Sequence, residues 1–263
     1  MISEHDTGPF EACPSPFNLA AHVLRHASEL SAKSALEVLG ASTSMIWTYA
    51  QLEAAVRGTG TGLLEAGLKP GDIALMRLGN TVDFPIAYLG AIAVGVIPVP
   101  TSAQLTEPET AKIMQDLDVA AVLRDPQVVC ADHPRQVLLS DLEAMRARQP
   151  CAYDMGDPNR LAYVVYTSGT SGSARAVAHA HRAIWARQMM VADWYDLRQD
   201  DRLLHAGAFN WTFTLGTGLM DPWAIGATAL IPDPDTPTDA LPELLNSSRA
   251  SIFAAAPGVY RKI

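Results

Sequence analysis

Short apolar runs alternate with helix-length segments along most of this chain, and that alternation is the strongest constraint on how it can fold. "IALMRL", "VIPVP" and "VAAVL" have the length and aliphatic content of buried strands. "TYAQLEAAVRGTGTGLLEAGL", "TVDFPIAYLGAIAVG" and "TEPETAKIMQDLD" have helical spacing. Thr48 and Thr106 stand where N-caps belong, and Glu107 and Glu109 suit the positive end of a helix dipole. The pattern resumes later with "RLLHAG", "ATALI" and "SIFAAA" as strands. "HRAIWARQMMVADWY", "FTLGTGLMDPWAIG" and "TDALPELLNSS" read as helices, and "PGVYRKI" begins another. Earlier, "NLAAHVLRHASEL" predicts a helix, and "SALEVLG" and "SMIWT" predict two strands joined by a short polar loop. Parallel strands need crossover connections, usually helical, so the class is α/β: stacked, largely parallel β-sheets with flanking helices.

The composition supports a packed core, with 49% hydrophobic and 18% charged residues among 263. Residues 1–16, with prolines at 9, 14 and 16, read as an arm. The polar stretch 124–160 reads as the edge between a first helix–strand block, 17–150, and a second, 151–263. The net charge of -9 and the lack of a Lys/Arg block argue against a nucleic-acid surface. Cys13, Cys130 and Cys151 are odd in number and form no C-x-x-C pair, which speaks against a disulfide framework or zinc site and suits a reducing cytoplasm. The start lacks a signal-peptide pattern. "FPIAYLGAIAVGVIPVP" is too short and too proline-bounded to span a bilayer.

One segment carries chemistry. "VVYTSGTSGSARAVAHAH" runs from an apolar strand into Thr, Ser and Gly, with a cation at Arg175. Gly169 and Gly172 permit close approach of the backbone to a ligand, and successive N–H groups in such a turn form an anion-binding nest. The hydroxyls of Thr167, Ser168, Thr170 and Ser171 add donors, and Arg175 can make a charge-assisted bond to a phosphate oxygen. A plain polar surface loop has the same composition. The Walker pattern G-x-x-x-x-G-K-[ST] fails, because its second Gly falls at Ala174 from Gly169 and at Val177 from Gly172.

"YTSGTSGSARAVAHAH" resembles the phosphate loop of the adenylate-forming superfamily, usually T-S-G-[ST]-[ST]-G-x-P-K-G-V-x-H-[ST]-H. The match covers Thr167 to Gly172, Val177, His179 and His181, and the loop is expected between a strand and a helix. The resemblance extends over the segment from Thr48 to Leu123. "WTFTLGTGLMDPWAIGATALI" is similar to the acyl-pocket helix and following strand of acetyl-, medium-chain and benzoate-type acyl-CoA synthetases. It implies part of the large N-terminal domain of an ATP-dependent carboxylate–CoA ligase using ATP, Mg²⁺ and CoA on a small carboxylic acid. The implied phosphate-binding residues are Thr167, Ser168, Gly169, Thr170, Ser171, Gly172 and Arg175. Phe209, Asn210 and Trp211 are implied at the acyl pocket.

Two departures stand out. Ala174, Arg175 and Ala176 replace the family's P-K-G, and Arg is a planar fork where Lys is a point charge. The chain also resembles only the amino-terminal half of a synthetase: the later Mg²⁺-binding Glu, the ribose-binding Asp, the hinge and the terminal-domain Lys have no counterpart, so no catalytic residue is assigned and a missing second half is expected as partner. A non-catalytic nucleotide-binding module is the alternative. Other readings are structural. Trp211 is either a pocket wall or packing between helix and sheet, and His205 is a satisfied structural His at a strand end. His22 with His26, and His179 with His181, lack a third metal ligand. Met189 and Met190 read as core filling. "AAPGVYRKI" resembles the segment near the pantetheine tunnel, or is a strand-to-helix turn with Pro257 at the first helical position.

Overall fold

A computed structural model describes residues 8–40, 44–167 and 175–263. The first helix, α1 (Leu19–Val23), is capped by Asn18, whose Oδ1 accepts from the Ala20 and Ala21 amides. The Asn18 Nδ2 donates to the Ile92 and Asp154 carbonyls, so one buried side chain also ties the helix to two distant segments. Strands β1 (Ser34–Leu39) and β2 (Ser44–Thr48) pair antiparallel. Thr48 then starts α2 (Tyr49–Glu65) through a reciprocal capping box with Gln51. Strand–helix alternation follows, with β3 (Ile73–Arg77), α3 (Asp83–Ala93), β4 (Ile97–Pro100), α4 (Glu107–Leu117), β5 (Ala121–Arg124), β6 (Gln136–Leu138) and α5 (Leu139–Met145). Next come β7 (Leu161–Thr167), β8 (Arg175–Ala180), α6 (Ala183–Gln188), α7 (Val191–Tyr195) and β9 (Arg202–Ala206). A π-helix (Thr214–Met220) runs straight into α8 (Asp221–Ile225). The described chain closes with β10 (Thr228–Pro232), a 3₁₀ turn, α9 (Leu241–Ser247), β11 (Ile252–Ala255) and α10 (Pro257–Tyr260).

Among the described residues the strands form a parallel sheet in the order β4-β3-β5-β6, a second sheet β11-β9-β10-β1-β2, and the hairpin β7-β8. The second sheet is parallel except where β1 meets β2. It joins remote parts of the chain, since Leu36 of β1 pairs with Ala229 of β10. The two sequence blocks on either side of residue 150 therefore share a sheet. Every residue of α3 is buried, which explains its apolar character all round: a helix enclosed between layers has no solvent face. Tyr49 at the start of α2 reaches the Ala227 carbonyl, 2.6 Å, and Trp223 of α8 donates to the Ala35 carbonyl, 2.8 Å. Large rings thus bury their bodies while their polar ends find partners. Arg77, fully buried at the end of β3, is spent on carbonyls of the chain around 102–105 and 129 and on the Thr101 hydroxyl. No helix among the described residues is long and apolar enough to cross a membrane.

Several local readings change. Only Leu19–Val23 of "NLAAHVLRHASEL" is α-helical, and the chain then runs in short turns such as Ala27 N–H to Leu24 C=O. "HRAIWARQMMVADWY" is two short helices broken at Met189 and Met190. Those methionines are 36% and 49% exposed, so they lie at the break and do not fill the core. The segment after the Gly/Ser/Thr loop is a strand and not a helix, because "RAVAHA" pairs along β7 from Arg175 to Ala180. Alternating β-branched and aromatic residues in "LAYVVYT" offer that edge, and a helix begins only at Ala183.

Candidate active site

The hairpin β7–β8 organises the site. Its pairs run Val164↔Ala178, Val165↔Val177, Tyr166↔Ala176 and Thr167↔Arg175. Thr167 ends one strand and exposed Arg175 opens the other. The expected phosphate-binding residues Ser168, Gly169, Thr170, Ser171 and Gly172 lie outside the described residues. The strands that flank this segment in sequence are paired with each other. At the other end, Tyr163 stacks on its cross-strand neighbour His179, with ring centroids 4.6 Å apart and planes 4° apart. Tyr88 of α3 meets Tyr163 edge-on at 5.6 Å. Burial pushes the Tyr163 phenol up to about 12.

Beside the hairpin lies a cavity of about 310 Å³. Val165, Val177 and His179 of the hairpin form one wall, and α6 and the π-helix form another through Ile184, Arg187, Leu215 and Gly216. Asn210 and Thr212, from the turn after β9, add polar groups. The wall is largely apolar with a few placed polar groups, the common make-up of a small-molecule site. A π-helix bordering a cavity is a recurrent feature of functional sites.

The three expected acyl-pocket residues separate. Asn210 lines the cavity. Phe209 turns inward, 2% exposed, with its ring 5.9 Å from that of Phe84 and its amide bonded to Asn80 Oδ1 at 2.8 Å. Trp211 is 65% exposed and is not among the cavity-lining residues. The physical reason is the turn at the edge of the sheet: Phe209 takes the inward place and Trp211 the outward one. His205, at the end of β9, is buried against Phe213 with neither ring nitrogen partnered among the described residues, and burial pushes it down to about 4.

The remaining histidines have structural partners. His181 is buried, and its Nδ1 accepts from the Leu19 amide at 3.0 Å. His22 lies 2.6 Å from Gln188 Oε1, and His26 pairs with Glu29. Among the described residues no three His, Cys, Asp or Glu side chains are grouped to hold a metal ion.

Sequence reading passed over Arg187, Asp221 and Tyr88. Asp221 is wholly buried at the π-helix to α8 junction, where it accepts from Arg187 and from the Tyr195 hydroxyl. Burial raises its carboxyl, and the Arg187 guanidinium pulls it back. The signal was present in "FTLGTGLMDPWAIG", where one carboxylate interrupts an apolar run.

Known proteins share this fold. A family profile described as "AMP-binding enzyme" matches residues 24–263. A 3-hydroxybenzoate–CoA ligase of Aromatoleum sp. (strain CIB) is 26% identical over 249 residues, covering 86% of this chain and 46% of the relative. The long-chain-fatty-acid–CoA ligase FadD13 of Mycobacterium tuberculosis is 26% identical over 234 residues, again with 46% of its length covered. The crystal structure of a benzoate CoA ligase from Burkholderia xenovorans LB400 superposes with a TM-score of 0.78 at 23% identity, over 93% of this chain and 51% of that one. ATP-bound MatB from Rhodopseudomonas palustris gives 0.81 at 21% identity, over 93% and 50%. The chain spans about half the length of the curated relatives it matches. With its strand–helix order, its stacked sheets and its match over residues 24–263, the chain belongs to the AMP-binding enzyme family and corresponds to the amino-terminal half of its CoA-ligase members.

Proposed function

We propose that this chain supplies the phosphate-loop and acyl-pocket half of an ATP-dependent carboxylate–CoA ligase. The observation that carries the reading is the cavity of about 310 Å³ walled by the two paired strands that flank the Gly/Ser/Thr segment in sequence. A carboxylic acid in that cavity stands next to the place where a polyphosphate would be held. The first half-reaction forms a bond from a carboxylate oxygen to the α-phosphorus of ATP and breaks the bond to the β-phosphate bridge, releasing pyrophosphate. The second forms a bond from the CoA sulfur to the acyl carbon and releases AMP.

The parts assigned to this chain are positioning and charge. Backbone N–H groups and hydroxyls from Thr167 to Gly172 and the Arg175 guanidinium would hold the β- and γ-phosphates, so that the leaving group's charge is neutralised in line with attack. Mg²⁺ would add to that neutralisation. Asn210 is the acyl-pocket residue that borders the cavity. The volume lies at the small end for ligand sites, which favours a small acid over a long chain. Relatives named for hydroxybenzoate and benzoate are in keeping with that size.

Calorimetric titration of ATP into the 263-residue chain tests the reading, together with Arg175→Ala. ATP should bind, and the variant should bind it about 1.5–3 kcal/mol more weakly, the range for a hydrogen bond to a charged group. No ATP binding by folded protein would overturn the nucleotide assignment. An unchanged affinity in the variant would remove Arg175 from it.

A further inference from the structure

Among the described residues that line the cavity there is one cation, Arg187, and its surroundings hold it in a single pose. Arg187 of α6 donates through Nε to both Asp221 oxygens, at 3.0 and 2.9 Å. Its Nη2 lies 2.8 Å from Asp221 Oδ2 and donates to Thr217 Oγ1 at 2.6 Å. The guanidinium carbon sits 5.5 Å from the centre of the Trp194 ring. On another side it presses on Gly216, where an added Cβ would stand 2.6 Å from Cζ. Such confinement removes most of the rotamer entropy that an arginine would otherwise lose on binding a ligand.

Nη1 is the nitrogen this network does not use; it has no partner in the hydrogen bonds of the described residues. Arg187 borders the cavity together with Tyr88, whose hydroxyl is buried with no partner among the described residues. An apolar acid would leave the buried Tyr88 hydroxyl unmatched and would cover the part-exposed Arg187 without pairing its Nη1, and a donor covered without a partner is costly. The Arg187 charge is already balanced by wholly buried Asp221. A second carboxylate here would leave net negative charge in a largely apolar cavity, which costs more than one hydrogen bond returns. A neutral acceptor carries no such cost.

We infer that Arg187 is a specificity-determining residue, and that the cavity takes a small carboxylic acid bearing a neutral hydroxyl or carbonyl group on the part remote from the reacting carboxylate. This rests on the carboxylate-pocket reading above. Arg187 Nη1 donates to that group, and Asp221 is the positioning residue that fixes the guanidinium.

The test is binding of matched acids to the 263-residue chain by calorimetry, with benzoate, 3-hydroxybenzoate and isophthalate as probes. The hydroxy acid should bind about five- to tenfold more tightly than benzoate, a modest share of a charge-assisted bond. Isophthalate should bind no more tightly than benzoate. In the paired variant Arg187→Met/Asp221→Asn, which avoids an orphaned carboxylate and keeps an acceptor for the Tyr195 hydroxyl, the ratio of hydroxy acid to benzoate affinity should fall to about one. Should that variant not fold, side-chain ¹⁵N spectra of the unaltered protein decide: the Arg187 resonances should shift with 3-hydroxybenzoate and much less with benzoate. Equal affinities for the two acids, a preference that survives in the variant, tightest binding of isophthalate, or an unmoved Arg187 signal would each overturn the inference while leaving the pocket in place. Failure of all three acids to bind would overturn the pocket reading as well.

Discussion

Two tryptophans show how little residue type says about energetic weight. Trp223 is fully buried, with its indole N–H satisfied, whereas Trp211 is 65% exposed. Trp223→Ala should cost about 3–5 kcal/mol, the range for a large ring lost from a core. Trp211→Ala should stay within about 0.5 kcal/mol, as for surface positions. Urea unfolding of both variants checks the contrast, and a large loss for Trp211→Ala would mean its ring is covered. His181 gives a pH dependence. Burial, with a smaller push from Arg160, lowers it from 6.5 to about 4, and its neutral Nδ1 accepts the Leu19 amide. Below pH 6.5 the unfolded chain takes up a proton that the folded chain refuses. Stability is therefore intact above 6.5 and falls progressively as the pH drops toward 4. His22 and His205, also pushed down to about 4, add to the same slope. His181→Asn keeps an acceptor and cannot titrate, so its unfolding midpoint should fall less between pH 7 and pH 5 than that of the unaltered protein. Parallel falls would show that His181 does not contribute.

Helix packing explains an odd feature of α2, its run of alternating glycines. Gly58 and Gly62, one turn apart, face the end of α5. A Cβ on Gly58 would come within 2.6 Å of the Arg146 carbonyl oxygen, and one on Gly62 would enter the Met145 side chain. Gly60 points the other way, where an added Cβ would stand 3.1 Å from the Gly90 carbonyl oxygen of α3, and a Cβ on Gly90 would stand 2.9 Å from the Val56 carbonyl oxygen. Glycine costs an isolated helix about 1 kcal/mol relative to alanine, yet here it lets three helices approach to backbone contact. Gly58→Ala should therefore destabilise by about 1–3 kcal/mol despite its better helix propensity, because backbone atoms must move. A more stable variant would show that α5 gives way freely. The hairpin has a chemical consequence at the same scale. Since a strand follows the loop, the anion binding proposed there would have to rely on local N–H groups, hydroxyls and Arg175, without the dipole of a following helix.

In the whole molecule, the five-stranded sheet combines strands from both sequence blocks, the β4-β3-β5-β6 sheet comes from the first block alone, and the hairpin, α6 and the π-helix meet at the cavity. β11 lies at the edge of its sheet and is only half-buried, and β8 is exposed from Arg175 to Ala178. Such open strand surface is normally covered. The chain spans about half the length of its matched relatives. The 263-residue chain is accordingly expected to bind ATP and a carboxylic acid without forming a thioester. Acyl-CoA formation from ATP, CoA and a panel of acids should not exceed that of Arg175→Ala, and clear turnover would place both half-reactions within these residues.

Local rules determined much of this protein. The strand–helix order, the caps at Thr48 and Thr106, the α/β class and the family of the loop follow from periodicity, capping chemistry and a short motif, all of which act over a few neighbouring residues. Tertiary structure decided what depends on distant partners. It made "RAVAHA" a strand by offering β7 as a neighbour, turned Phe209 inward and Trp211 outward, and set Arg187 against Asp221, 34 positions along the chain. Local sequence marks one partner, the lone carboxylate of "FTLGTGLMDPWAIG", but none of these pairings or orientations. A strand edge, the side of a turn that faces the core and a buried ion pair are each defined by what packs against them, and that is known only once the chain has closed on itself.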